Sequence, residues 1–162
     1  MTTTTPGAIR DVIIARIAGL SPSSPTSPRY IAHRDEQSNL ITWASKNPTA
    51  CLRRFDVERV GGPRGVVVTP GANSEAVSGL EMRIVVSYPA SQRFVNGRGL
   101  DDVVDADMTL ILGSSGAGTI GFSVLPTSNA TIVDDGWDFD RSVPGVVLAI
   151  SPLRIENFWR AI

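Results

Sequence analysis

Residues 79–88 alternate so strictly that they commit this chain to a β-sheet. Leu80, Met82, Ile84, Val86 and Tyr88 fall on one side, and Glu81, Arg83, Val85 and Ser87 on the other. Pro89 ends the run, because it has no N–H to give a neighbouring strand. A strand of this length buries its apolar side only if other strands flank it and something apolar covers it. The rest of the sequence is read for those partners.

Two segments have helical spacing. Thr5 followed by Pro6 is a start signal, a hydroxyl cap and then a proline in the first turn, where its missing N–H costs nothing. Ile9, Val12, Ile13, Ile17 and Leu20 follow at helical intervals, Arg10 and Arg16 take the other face, and Gly19 is a stop. The spacing predicts a helix over 6–19. Residues 100–112 repeat the pattern with Leu100, Val103, Val104, Met108 and Ile111 on one side. Asp101, Asp102 and Asp105 lie in the early turns, where the helix dipole favours negative charge. Gly113 stops this helix, and 113–118 read as a flexible loop.

The remaining strands are shorter. Residues 29–33 predict a brief strand, and 50–60 a longer one that Gly61-Gly62-Pro63 breaks. Ser38 or Asn39 opens a short helical turn through Leu40, Ile41, Trp43 and Ala44. Residues 61–78 read as a long hairpin loop, with Val66, Val67 and Val68 able to add a brief strand. Residues 90–99 form a polar loop. Residues 130–140 and 145–156 predict antiparallel strands, with Trp137 and Phe139 on one face of the first and Asp138 and Asp140 on the other. Helix, strands, helix, strands is an α+β order, with both helices packed on one face of a mostly antiparallel sheet.

The chain's 162 residues fit one domain, 1–162, with a Pro/Ser-rich connector at 21–28, the long loop at 61–78 and a C-terminal tail at 157–162. Charged residues are 19%, against roughly 25% in an average globular protein, which suits a chain that hides surface against neighbours. A net charge of −1 argues against a dedicated nucleic-acid binder. The charge is uneven: residues 1–67 carry nine Lys/Arg against five Asp/Glu, a net of +4, and residues 68–162 a net of −5. That asymmetry is either chance scatter or the mark of a subunit that stacks head-to-tail with its own copies. One cysteine, Cys51, leaves no internal disulfide. No apolar run approaches membrane-spanning length, and Met1 to Pro6 lacks the basic and apolar regions of a signal peptide.

The motifs of catalysis are scarce. The one histidine, His33, has nothing nearby that marks a nucleophile pair. Gly113 to Gly118 lacks the Lys-Ser/Thr pair of a phosphate loop. Asp101, Asp102, Asp105 and Asp107 crowd one helix, and Asp134, Asp135, Asp138 and Asp140 crowd one strand, neither at calcium-loop spacing. These acids are open to three readings: a solvated face, a metal site, or a negatively charged lumen that repels DNA and lets it slide. Arg53 and Arg54 beside Phe55 are candidates for phosphate or for acidic partners on a neighbouring strand or chain. No cofactor is expected.

The order of elements resembles the tail terminator family of long-tailed bacteriophages, the lambda-type neck proteins in particular. An N-terminal amphipathic helix (6–19) leads to a strand and long loop (50–78). The strand Leu80-Glu81-Met82-Arg83-Ile84-Val85-Val86 then closes with Tyr88-Pro89. A polar connector follows, then a helix from Leu100, the segment Gly136-Trp137-Asp138-Phe139-Asp140-Arg141, and a last strand from Val146 to Ile150. The chain departs from that pattern in its Pro/Ser-rich connector and in running on through Phe158 and Trp159.

The resemblance implies a virion protein without catalysis, assembled in the host cytoplasm. Its identical subunits would form a ring, hexameric in that family, that caps the tail tube and meets the head-tail connector protein. DNA would pass through the lumen without sequence-specific binding. It would place Arg53, Arg54, Arg64, Val66, Val67, Val68, Phe158 and Trp159 at contacts, and Asp101, Asp102, Asp138 and Asp140 at the lumen. Another head-completion or tail-associated part, or a small metal-dependent enzyme using the aspartates, are the alternatives.

Overall fold

The structure, a computed structural model, describes residues 3–22, 25–32, 52–68, 71–90, 99–113, 119–124 (as backbone) and 130–161. The short turn expected through Trp43, together with His33, Cys51, Ile162 and the loop at 114–118, lies outside the described residues.

Two helices and nine strands are described: α1 (Pro6–Ala18), β1 (Ile31–Ala32), β2 (Arg54–Arg59), β3 (Arg64–Val68), β4 (Ser74–Pro89), α2 (Leu100–Leu112), β5 (Thr119–Val124), β6 (Thr131–Asp134), β7 (Asp138–Asp140), β8 (Val146–Glu156) and β9 (Phe158–Ala161). The fold is α+β, dominated by its sheet. Strand order is β1-β2-β4-β8-β6-β5, with β3 and β9 on β4 and β7 on β8. All of these pairs are antiparallel except β1 with β2.

β4 is the spine. The alternating decapeptide is its C-terminal part, held between β2 (Phe55↔Val86, Val57↔Ile84) and β8 (Ala149↔Val86, Leu153↔Met82, Ile155↔Leu80). Leu80, Met82, Ile84, Val86 and Tyr88 are all buried, and their core contains Ile9, Ile13 and Ile17 of α1 and Val103, Val104, Met108 and Ile111 of α2. Both helices thus bury their apolar stripes in the same core, and each such side chain contributes about 1.5–3 kcal/mol on burial.

α1 begins as the sequence requires: the Thr5 hydroxyl accepts from the Ala8 N–H at 3.1 Å, with Pro6 in the first turn. Its buried stripe runs Ile9, Ile13, Ile17, and Val12, expected on that stripe, faces solvent. The stripe follows intervals of four, and Val12 falls beside it.

Three expectations change. Residues 61–78 are not one long loop. β3 pairs with the first part of β4 (Arg64↔Gly79, Val66↔Val77, Val68↔Glu75). Residues 157–161 pack back onto the parent sheet rather than standing out as an anchor, because β9 lies on the other side of that same part of β4 (Val77↔Phe158, Ser74↔Ala161). Asn157, at φ 59, joins β8 to β9. The run 130–140 is two strands, interrupted where Gly136 takes φ 82.

Candidate functional site

Two places draw together residues that carry charge or exposed apolar surface. The first is internal. Asp107 of α2 receives three donors: the Tyr30 hydroxyl at 2.9 Å, the Tyr88 hydroxyl at 2.9 Å and the Arg53 Nε at 2.7 Å. Arg53 and Asp107 are both shut off from solvent. Arg53 also donates from Nη1 to the carbonyls of Pro25 and Pro28, which ties the connector to the sheet.

Burial pushes both tyrosine phenols well above their ordinary value, and the Asp107 carboxylate adds to the shift. A carboxylate occupied by three donors has little left to offer a substrate. The arrangement is a structural lock joining α2, the end of β4 and the connector. Helical spacing carried a signal for it, since Asp107 falls on the apolar side of α2, four residues from Val103 and from Ile111.

The second place is an arm made by β3, the first part of β4, and β9. Every residue of β3 is exposed, Val67 at 62% and Val68 at 53%. Among the described residues β3 pairs only with β4, so its outer edge carries free backbone donors and acceptors. β9 differs, because the Thr4 N–H reaches its outer edge at the Trp159 carbonyl, 2.7 Å away. Val67 stands beside Ala76, which stands beside Trp159, and a cavity of about 240 Å³ opens among Val67, Ala76, Val77, Phe158 and Trp159. Gly65, at φ 62, lets β3 approach Ser78, whose hydroxyl donates to the Arg64 carbonyl at 3.2 Å.

The residues expected at contacts therefore divide. Val66, Val67, Val68 and Arg64 lie on the exposed arm, and Arg64 sits 3.6 Å from Glu81. Trp159 is half-buried beside them. Arg53 and Phe158 are interior, the first consumed by Asp107 and the second by the core, so neither has surface for a neighbour. Arg54, half-buried, lies opposite Ser87, on the face of the sheet away from the helices.

The acidic positions divide as well. Asp138 and Asp140 pair with Ile150 and Leu148 and so share the face opposite α1 and α2. The Ser142 hydroxyl and backbone N–H hold the Asp140 carboxyl below its ordinary value. Asp101 and Asp102 are exposed in the first turn of α2. Arg141, stacked on the Phe139 ring at 4.7 Å, reaches Asp101 at 3.6 Å. The two acid groups are thus divided, Asp101 and Asp102 at the start of α2 and Asp138 and Asp140 on the opposite face of the sheet. Among the described residues no group of three His, Cys, Asp or Glu is placed to hold a metal ion.

Compared with protein-family models and with curated proteins, the chain finds no match.

Proposed function

We propose that this protein is a structural subunit of a phage neck, in which copies of the chain form a ring that caps the tail tube and joins it to the head-side connector. One observation carries the reading: an edge strand whose side chains are exposed throughout, valine-rich, on an arm of the sheet. Proteins that stay single usually blunt such an edge with charge, proline or a covering element. Here no charge or proline falls within the run Val66-Val67-Val68, and among the described residues nothing covers it. A neighbouring chain that adds a strand there satisfies the free backbone groups and covers the valines.

The order of elements, which resembles the tail terminators, supports the finer assignment. So does the low charged fraction of 19%. Asp138 is exposed and Asp140 half-buried on β7, and we assign this acidic stretch to the lumen. A negative wall there repels the DNA backbone and lets it pass.

The test is the oligomeric state by light scattering after size exclusion, followed by electron microscopy of the particles, for the wild type and for Val67→Lys. Rings for the wild type and monomers for the variant are expected. A charge at an exposed edge position blocks pairing and changes monomer stability by no more than about 0.5 kcal/mol. A wild type that is monomeric at high concentration and also fails to add to tail tubes overturns the reading.

A further inference from the structure

The ring needs a second contact, and the charge pattern supplies one. At the start of α1, Pro6, Gly7, Arg10, Arg59 and Met82 line an open cleft of about 160 Å³. Three features make it attractive to an anion. The first turn of a thirteen-residue helix lies there, where the helix dipole favours negative charge. Arg59 brings a second guanidinium from β2, its Nε held by the Gly61 carbonyl at 2.8 Å. The Arg10 Nε is sealed from solvent and has no hydrogen-bond partner. A carboxylate entering the cleft meets the Arg10 and Arg59 guanidiniums together, and hydrogen bonds between ionised partners are the strong ones.

The same chain carries the complement. Asp102 and Asp105 are exposed on α2, three residues apart and hence neighbours on its surface. They belong to the chain's acidic part, and the cleft to its basic part. The two patches also sit on opposite flanks of the spine. Arg59 pairs with Met82 from the β2 side. The start of α2 is tied through Asp101 and Arg141 to the end of β7, on the β8 side. Complementary patches on opposite flanks cannot meet within one subunit. They generate head-to-tail contacts, which close into a ring when the rotation allows.

We infer that the cleft of Arg10 and Arg59 is a carboxylate socket for Asp102 and Asp105 of an adjacent copy of this chain. The inference rests on the ring reading and adds the residues that close it. The socket orients neighbours, and β3 supplies the apolar contact.

Charge exchange tests it. The variants R10E/R59E and D102K/D105K are each expected to associate at least about tenfold more weakly than the wild type at low salt, a gap that narrows as salt screens the wild type's attraction and the variants' repulsion alike. Mixed together, they are expected to regain rings, because each variant's cleft then faces an opposite charge on the other's helix. The quadruple variant is expected to do the same alone. Thermal melts of each protein check that it folds. Wild-type rings that persist unchanged in both double variants overturn the socket and leave the ring reading standing. Loss without recovery in either the mixture or the quadruple variant overturns it equally. A wild type that never assembles removes the ring reading and the socket with it.

Discussion

Arg53 and Asp107 stand 54 positions apart in sequence and meet at 2.7 Å, Nε to Oδ2, in a site that excludes solvent from both. Arg53 is held at φ 55, a conformation uncommon for a residue with a side chain. That backbone sits at the entry to β2, where its N–H reaches the Ser87 carbonyl at 3.0 Å. Chain direction, ion pair and connector are thereby set by one residue.

Asp107→Ala strands the Arg53 charge inside the protein and frees two tyrosine hydroxyls. A loss of about 3–5 kcal/mol is expected, as for other buried pairs broken on one side. Urea denaturation measures it. The double variant Arg53→Met/Asp107→Leu should be the more stable of the two, because no charge is left unpaired.

The two tyrosines of the chain, Tyr30 and Tyr88, both donate to Asp107. Their folded-state values lie above the ordinary 10.0. Below pH 10 both states keep the phenolic proton, and the stabilisation is fully present. Above it the unfolded chain alone ionises, so stability falls as pH rises. Ultraviolet titration should therefore show no phenolate absorption near pH 10–11, and then both tyrosines ionising together as the protein unfolds. Gradual ionisation of either one in the folded protein would count against the lock.

Phe158 is buried in the main core although it lies four residues from the end of the given sequence. Phe158→Ala should cost about 3–5 kcal/mol. Removing residues 158–162 should destabilise the monomer as well, by exposing Val77 and one side of β4. If melts of the truncated chain match the wild type, β9 is not part of the core.

Gly65 is the tightest approach in the arm. A Cβ there would meet the Ser78 Oγ at 1.8 Å and the Ser78 Cβ at 3.1 Å, and the left-handed φ of 62 adds its own cost. Gly65→Ala should lose about 1–2 kcal/mol from the backbone term alone. Adding Ser78→Ala relieves the closer contact but not the backbone, so recovery should be partial. Hydrogen exchange at Val66 and Val77 would report the loosening locally.

The local rules acted where the sequence repeats with a clear period. Alternation through Leu80–Tyr88, the Thr5–Pro6 start and the stripe of α2 each record a burial that one element makes alone, and each was legible. The sequence does not mark β5, and it leaves the segment at 157–162 open between an exposed anchor and packing back onto the core. A strand of four residues such as Phe158–Ala161 has too few alternations to declare itself, and only the neighbouring edge of β4 makes it a strand. The hairpin at 64–78 was half-visible for the same reason, since its exposed valines bury nothing within the subunit.

The sequence by itself determined which segments were apolar on one side, and hence an α+β chain with a sheet at its centre. Only the tertiary structure decided which charges were consumed. Arg53 and Arg54 are adjacent and chemically identical, yet the left-handed turn at Arg53 sends the first into the interior to Asp107. Arg54, one residue on, begins β2 on the face opposite α1 and α2. Pairing energy depends on distance and desolvation, and both are properties of folded space that no single stretch of sequence contains.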